Sequence, residues 1–163
     1  MRTSFIPALL IAALAAPVGA LAQSSEGRDL AKLAFRSVDN AERGYIDQGE
    51  FTNFGSDVFV SMDFDENDKL SLDEFLSWDF GLDQVAEKAG RAEAYETALR
   101  VVFAFWDRDG DNQITRTEHR RSLLADFARA DANDDAVLTE KEFLLGFSVN
   151  VAARAAINPP PAE

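Results

Sequence analysis

Four times in its 163 residues the chain repeats a twelve-residue stretch that opens on Asp, closes on Glu and carries an aliphatic residue at its eighth position. The stretches span 39–50, 63–74, 107–118 and 131–142, with Ile46, Leu70, Ile114 and Leu138 at the eighth place. A Phe stands four residues before each opening Asp, at Phe35, Phe59, Phe103 and Phe127. Three stretches run directly into another Phe (Phe51, Phe75, Phe143), and the third runs into His119. Acidic twelve-mers are common singly. Four in one register with matched aromatic flanks form an internal repeat, which restricts the fold before any single residue is weighed.

The oxygen donors inside the repeat are spaced for a hard divalent cation. Calcium takes about six to eight oxygens at roughly 2.3–2.6 Å in a flexible shell. A short loop supplies them from side chains at positions 1, 3 and 5, a backbone carbonyl at 7, a contact at 9 that often runs through water, and both oxygens of a Glu at 12. The third stretch meets all of these demands with Asp107, Asp109, Asp111, the carbonyl of Gln113, Thr115 and Glu118. The second offers Asp63, Asp65, Asn67, the carbonyl of Lys69, Ser71 and Glu74. The fourth offers Asp131, Asn133, Asp135, the carbonyl of Val137, Thr139 and Glu142. The first stretch keeps Asp39, Asp47 and Glu50 but has Ala41 and Arg43 at positions 3 and 5, a methyl and a guanidinium where a cation needs oxygen.

In this register the chain resembles the EF-hand family over nearly everything after about residue 28. The resemblance implies an all-α fold of four EF-hand helix-loop-helix units, the first degenerate and kept for packing. It implies about three bound Ca²⁺ ions on the second, third and fourth loops. Magnesium is disfavoured by its near-octahedral demand, which makes a position-12 Glu a poor bidentate ligand. One feature departs from the family pattern. Position 6 calls for Gly because the backbone turns there with positive φ. The three ligand-complete loops carry Asp68, Asn112 and Ala136, and Gly44 lies in the broken one.

Spacing also sets the arrangement of the loops. Loop starts are 24, 44 and 24 residues apart, so only residues 51–62 and 119–130 separate the members of the first and last pairs. Twelve residues cannot hold an exiting helix, a linker and an entering helix. One shared helix of about fifteen residues, roughly 22 Å long, must leave one loop and enter the next. Residues 119–130 lack Gly and Pro and suit this well; Gly55 is expected to interrupt 51–62. Loops at opposite ends of one helix cannot lie side by side. The second loop is therefore expected to pair with the third and the first with the fourth, with Ile46 not beside Leu70. Residues 75–106 have room for two helices and a turn, with breaks at Gly81 and Gly90 and a strong helix over 91–106.

The N-terminus reads as an export signal at 1–22. Arg2 supplies the positive start, Ile6 to Val18 a short apolar run broken by Pro7 and Pro17, and Ala20-Leu21-Ala22 a cleavage site. The run is too short for a stable membrane anchor. A periplasmic or secreted protein cut near Ala22 is expected, with a four-unit domain over 28–157 and a flexible Pro-rich tail over 158–163. With 29 acidic and 16 basic residues the net charge is −13, which excludes non-specific nucleic-acid binding through a basic face. No cysteine exists to form a disulfide or act as nucleophile, His119 is the only histidine, and no glycine-rich phosphate cradle occurs; an enzyme is not expected. Arg116, Arg120 and Arg121 around His119 read as a charged helix face offsetting the acidic loops, or as a docking surface for one specific acidic protein partner. Calcium is the principal partner expected. Its role is that of a sensor or buffer, the alternative being an adaptor whose fold the ion stabilises. Only Met62 remains after the leader, against the Met-rich grooves of broad-specificity sensors.

Carboxylate number and position-6 strain rank the sites. Ala136 in a left-handed conformation costs about 1–2 kcal/mol, up to roughly tenfold in affinity. Calcium titration of Glu118→Gln, Glu74→Gln and Glu142→Gln should show the third site tightest, then the second, then the fourth; loss of the tightest site in Glu142→Gln refutes the ranking.

Overall fold

The computed structural model describes residues 18–78 and 81–159. Most of the expected export signal, and residues 160–163 of the expected tail, lie outside these. In chain order the elements are α1 (Val18–Val38), β1 (Tyr45–Asp47), α2 (Gln48–Met62), β2 (Lys69–Ser71), α3 (Leu72–Ser77), α4 (Leu82–Lys88), α5 (Ala92–Trp106), β3 (Gln113–Thr115), α6 (Arg116–Ala130), β4 (Val137–Thr139), α7 (Glu140–Gly146) and α8 (Ser148–Ile157). The class is all-α; the strands are three residues each.

Every loop launches its exiting helix by the same local device. The position-9 side chain accepts from the backbone N–H of the position-12 Glu, and that Glu reaches back to the position-9 N–H. The reciprocal pairs are Asp47/Glu50, Ser71/Glu74, Thr115/Glu118 and Thr139/Glu142, each a capping box that satisfies two otherwise orphaned backbone donors. The two connecting helices, α2 and α6, are fifteen residues long and shared between successive loops.

The loops pair as the shared helices require. β1 is antiparallel to β4 with Ile46 opposite Leu138, and β2 is antiparallel to β3 with Leu70 opposite Ile114. All four position-8 side chains are completely buried. The flanking aromatics sort into one cluster per loop pair. In the first–fourth half, Phe51 packs edge-on to Phe127 at 5.7 Å and to Phe143 at 6.4 Å, and Phe35 lies 5.9 Å from Phe143. In the second–third half, Phe75 contacts Phe103 at 5.6 Å and Trp106 at 5.8 Å. His119 takes the place a fourth Phe would have, 5.2 Å from both Phe59 and Trp106. Such ring pairs add about 0.5–1.5 kcal/mol each beyond their burial.

Gly55 does not interrupt α2, contrary to the expectation from its helix propensity. It is buried where α2 crosses α6, and a Cβ there would sit 2.2 Å from Leu123 Cδ1. Close helix approach outweighs a propensity cost of about 1 kcal/mol. Gly81 and Gly90 do act as breaks, both with positive φ, and residues 75–106 hold a short third helix, α4, besides α3 and α5. After the fourth loop the chain bends at Phe147. There the buried carboxylate of Asp126 in α6 accepts from the Ser148 N–H (3.3 Å) and hydroxyl, so a neighbouring helix caps α8.

Gly146 packs as tightly, with an added Cβ falling 2.5 Å from the Ala130 Cα. Backbone cannot yield as a side-chain tip can. Gly146→Ala should lower stability by about 1–3 kcal/mol in urea unfolding despite Ala's better helix propensity; an unchanged midpoint contradicts this packing.

Candidate metal centre

The four opening carboxylates are held alike by the backbone that follows them. One oxygen accepts the position-5 N–H and the other the position-6 N–H. These are Arg43 and Gly44 on Asp39 (2.9 and 2.7 Å), Asn67 and Asp68 on Asp63 (2.9 and 3.0 Å), Asp111 and Asn112 on Asp107 (3.2 and 3.0 Å), and Asp135 and Ala136 on Asp131 (3.2 and 2.9 Å). Wrapping the chain this tightly requires the left-handed region at position 6, where Asp68, Asn112 and Ala136 have φ of 64°, 65° and 64°. Position 4 is left-handed as well, at Glu42, Glu66, Gly110 and Asp134. The Gly anticipated at position 6 thus occurs at position 4 of the third loop, easing one of its two strained residues.

In the second, third and fourth loops the closing Glu reaches across the ring. Its Oε1 accepts the position-2 N–H, from Phe64 (3.1 Å), Arg108 (2.9 Å) and Ala132 (3.2 Å). Its Oε2 accepts the N–H and hydroxyl of Ser71, Thr115 or Thr139, the hydroxyls at 2.7 Å. Burial alone would raise Glu74 and Glu118, but hydrogen bonds from Ser71 and Thr115 and from the opening turns outweigh it and hold both below the ordinary carboxylate range. At Glu142 the Thr139 hydroxyl and N–H are the main cause of the same downward shift. All three are therefore charged and aimed into their loops.

Carboxylate oxygens converge within 4.8 Å of one another in two trios among the described residues: Asp63, Asp65 and Glu74, and Asp107, Asp109 and Glu118. The fourth loop has Asn133 where both trios have Asp, and Asn133 Nδ2 donates to Asp135 at 3.0 Å. Asn67 likewise donates to Asp65 at 2.8 Å, while its Oδ1 accepts the Lys69 N–H. The donor set fits a hard cation: oxygen only, several carboxylates, and backbone N–H groups behind them that leave lone pairs directed inward. Of the residues the spacing named, those the structure gathers into such a set are Asp63, Asp65 and Glu74, and Asp107, Asp109 and Glu118.

The first loop is closed differently. Arg43 Nη2 lies 2.8 Å from Asp47 and 2.5 Å from Glu50, the position-9 and position-12 carboxylates. Its hydrogen bond holds Asp47 well below the usual carboxylate range, aided by the Glu50 N–H, and Asp47 in turn raises Arg43.

No family model matches the chain. It is 42% identical over 60 residues to the probable calcium-binding protein CML17 of Oryza sativa subsp. japonica, an alignment covering 29% of this chain and 37% of that protein. The chain thus spans little more than a third of its relative's length. Together with the two carboxylate trios, this similarity supports a calcium-binding role.

The charged helix face expected around His119 divides: Arg116 offsets an acidic loop, as expected, while His119 belongs to the interior. Arg116 leans from the third loop onto the second, 2.6 Å from Asp68 and 3.9 Å from Asp63, with its guanidinium 4.6 Å over the Phe59 ring. His119 is buried in the aromatic cluster, and Arg120 and Arg121 are exposed. The signal was present in the repeat itself: His119 stands where the other three stretches have Phe.

Burial, with a smaller contribution from the Arg116 charge, lowers His119 from 6.5 to about 4. The unfolded chain therefore takes this proton first as pH falls. Stability from a neutral His119 should be complete above about pH 6.5 and decline towards pH 4, by at most about 3 kcal/mol. The difference in unfolding free energy between the wild type and His119→Phe, measured in saturating calcium, should change across that window; a pH-independent difference contradicts the assignment.

Proposed function

We propose that this chain is an exported EF-hand calcium-binding protein with three working sites, on the second, third and fourth loops, and no catalysis of its own. The observation that carries the reading is oxygen at positions 1, 3, 5, 9 and 12 in each of these loops, with the carboxylates gathered within 4.8 Å in two of them. Bound there, the ion supplies positive charge that relieves the repulsion and joins the loop to its exiting helix through the position-12 Glu. Export to the periplasm or beyond the cell rests on the leader-like residues 1–22. No helix among the described residues is long and apolar enough to cross a membrane.

Ion binding has a path to the interior. Trp106 directly precedes Asp107 and His119 directly follows Glu118, and both line an apolar cavity of about 220 Å³ between the loop pairs, with Phe51, Phe75 and Phe143. Aromatic and aliphatic side chains share the walls and Met62 is the one methionine among them, which fits a calcium sensor with one narrow partner, or a buffer whose ions hold the domain together, better than a promiscuous groove. Affinity separates these roles. Sites near 10⁻⁴–10⁻³ M would follow extracellular calcium, whereas much tighter sites would stay filled. The adaptor alternative loses part of its surface, since Arg116 is engaged with the second loop.

Calorimetry of the chain lacking residues 1–22, with Trp fluorescence followed in parallel, should record about three calcium ions and a change in Trp106 emission. Glu74→Gln, Glu118→Gln and Glu142→Gln should each weaken or remove one site. Absence of heat at millimolar calcium defeats the reading.

A further inference from the structure

The first loop lacks ligands at two positions yet has the same backbone path as its neighbours. Asp39 receives the N–H groups of residues 43 and 44 as its counterparts do, and Gly44 turns with φ 81°. What differs is the centre. Ala41 contributes no oxygen at position 3, and the position-5 side chain, Arg43, reaches the carboxylates at positions 9 and 12. Glu50 departs from the other closing Glu residues accordingly. They accept the position-2 N–H, whereas here the Asn40 N–H is bonded to the Val38 carbonyl and Glu50 Oε2 receives both Arg43 and the Asp47 N–H. The guanidinium also lies 4.5 Å over the Tyr45 ring, so it is clamped by two carboxylates and an aromatic face. Tyr45 and Asp47 both belong to β1, the strand paired with β4 of the fourth loop.

We propose that Arg43 is a built-in counter-cation: it closes the first loop without metal, keeps β1 and β4 paired when calcium is withdrawn, and holds the fourth loop ready for its ion. The last clause rests on the calcium-binding reading; the first two do not. The physical reason is local. A tethered guanidinium cannot diffuse away, whereas the carboxylate trios of the second and third loops depend on an exchangeable cation. Among the described residues the second loop has the outlying Arg116, which bonds the non-ligand Asp68 and stays 3.9 Å from Asp63. Calcium release therefore loosens the two halves unequally, and the fourth site binds with less ordering to accomplish than its Asn133 and Ala136 would otherwise impose.

Hydrogen–deuterium exchange in excess chelator tests this directly. In the wild type, segments containing Tyr45–Asp47 and Val137–Thr139 should exchange about tenfold more slowly than those containing Lys69–Ser71 and Gln113–Thr115. Equal rates overturn the proposal, whether or not the protein binds calcium. Arg43→Gln should abolish the difference and Arg43→Lys restore part of it; unchanged protection in Arg43→Gln also overturns it. Combining Ala41→Asp with Arg43→Asp should make β1–β4 protection depend on calcium, and this variant decides the matter should Arg43→Gln not fold. In calcium titrations Arg43→Gln should weaken the site removed by Glu142→Gln about fivefold and leave the other two unchanged.

Discussion

Carboxylate oxygens held within 4.8 Å of one another repel, and the molecule is organised around supporting them. Backbone N–H groups take the first share of that task. Each opening Asp is wrapped by the amides that follow it, which forces two left-handed residues into every loop. Each closing Glu is fixed by a capping box that also starts the next helix. Helix initiation and donor placement are thus one set of hydrogen bonds. Neutral donors hold Glu74, Glu118 and Glu142 below the ordinary carboxylate range but bring no net charge. The first loop has Arg43 against Asp47 and Glu50, and the second and third gather carboxylate trios whose repulsion a cation would relieve.

Two features join the loops into one unit. Within each pair, position-8 residues are buried against each other across a three-residue ribbon, and the aromatic clusters fill the space beneath. Between pairs, α2 and α6 each leave a loop of one pair and enter a loop of the other. They cross with Gly55 against Leu123, so neither shifts without the other. A rigid helix about 22 Å long is a direct mechanical link between one site's closing Glu and the next site's opening Asp.

Much of this was legible in the residues. Twelve-residue separations left no alternative to shared helices, which exclude the first–second and third–fourth pairings, and residues 75–106 give the second loop room to meet the third. The two carboxylate trios fall at positions 1, 3 and 12 of the second and third loops, as the repeat spaces them, because a loop's geometry is local. The failures have a common physical origin. Gly55 was read by intrinsic propensity, whereas helix–helix approach decided it. Arg116, Arg120 and Arg121 were read as one charged face offsetting the acidic loops; Arg116 does so, but at a loop some fifty positions earlier, and His119 among them fills a Phe site. The S/T-x-x-E spacing that signals a capping box was present in three loops and was read only as metal ligation.

By itself, the order of residues determined the number of loops, which of them carry oxygen at every ligand position, and which strands cannot meet, because these depend on short-range spacing and donor chemistry. Only the tertiary structure decided where the side chains of Arg43 and Arg116 end, what a Cβ at Gly55 or Gly146 would meet, and how Asp126 bends the chain into α8. Those outcomes depend on surfaces from distant segments meeting at contact distance, and no local pattern in one chain encodes that distance.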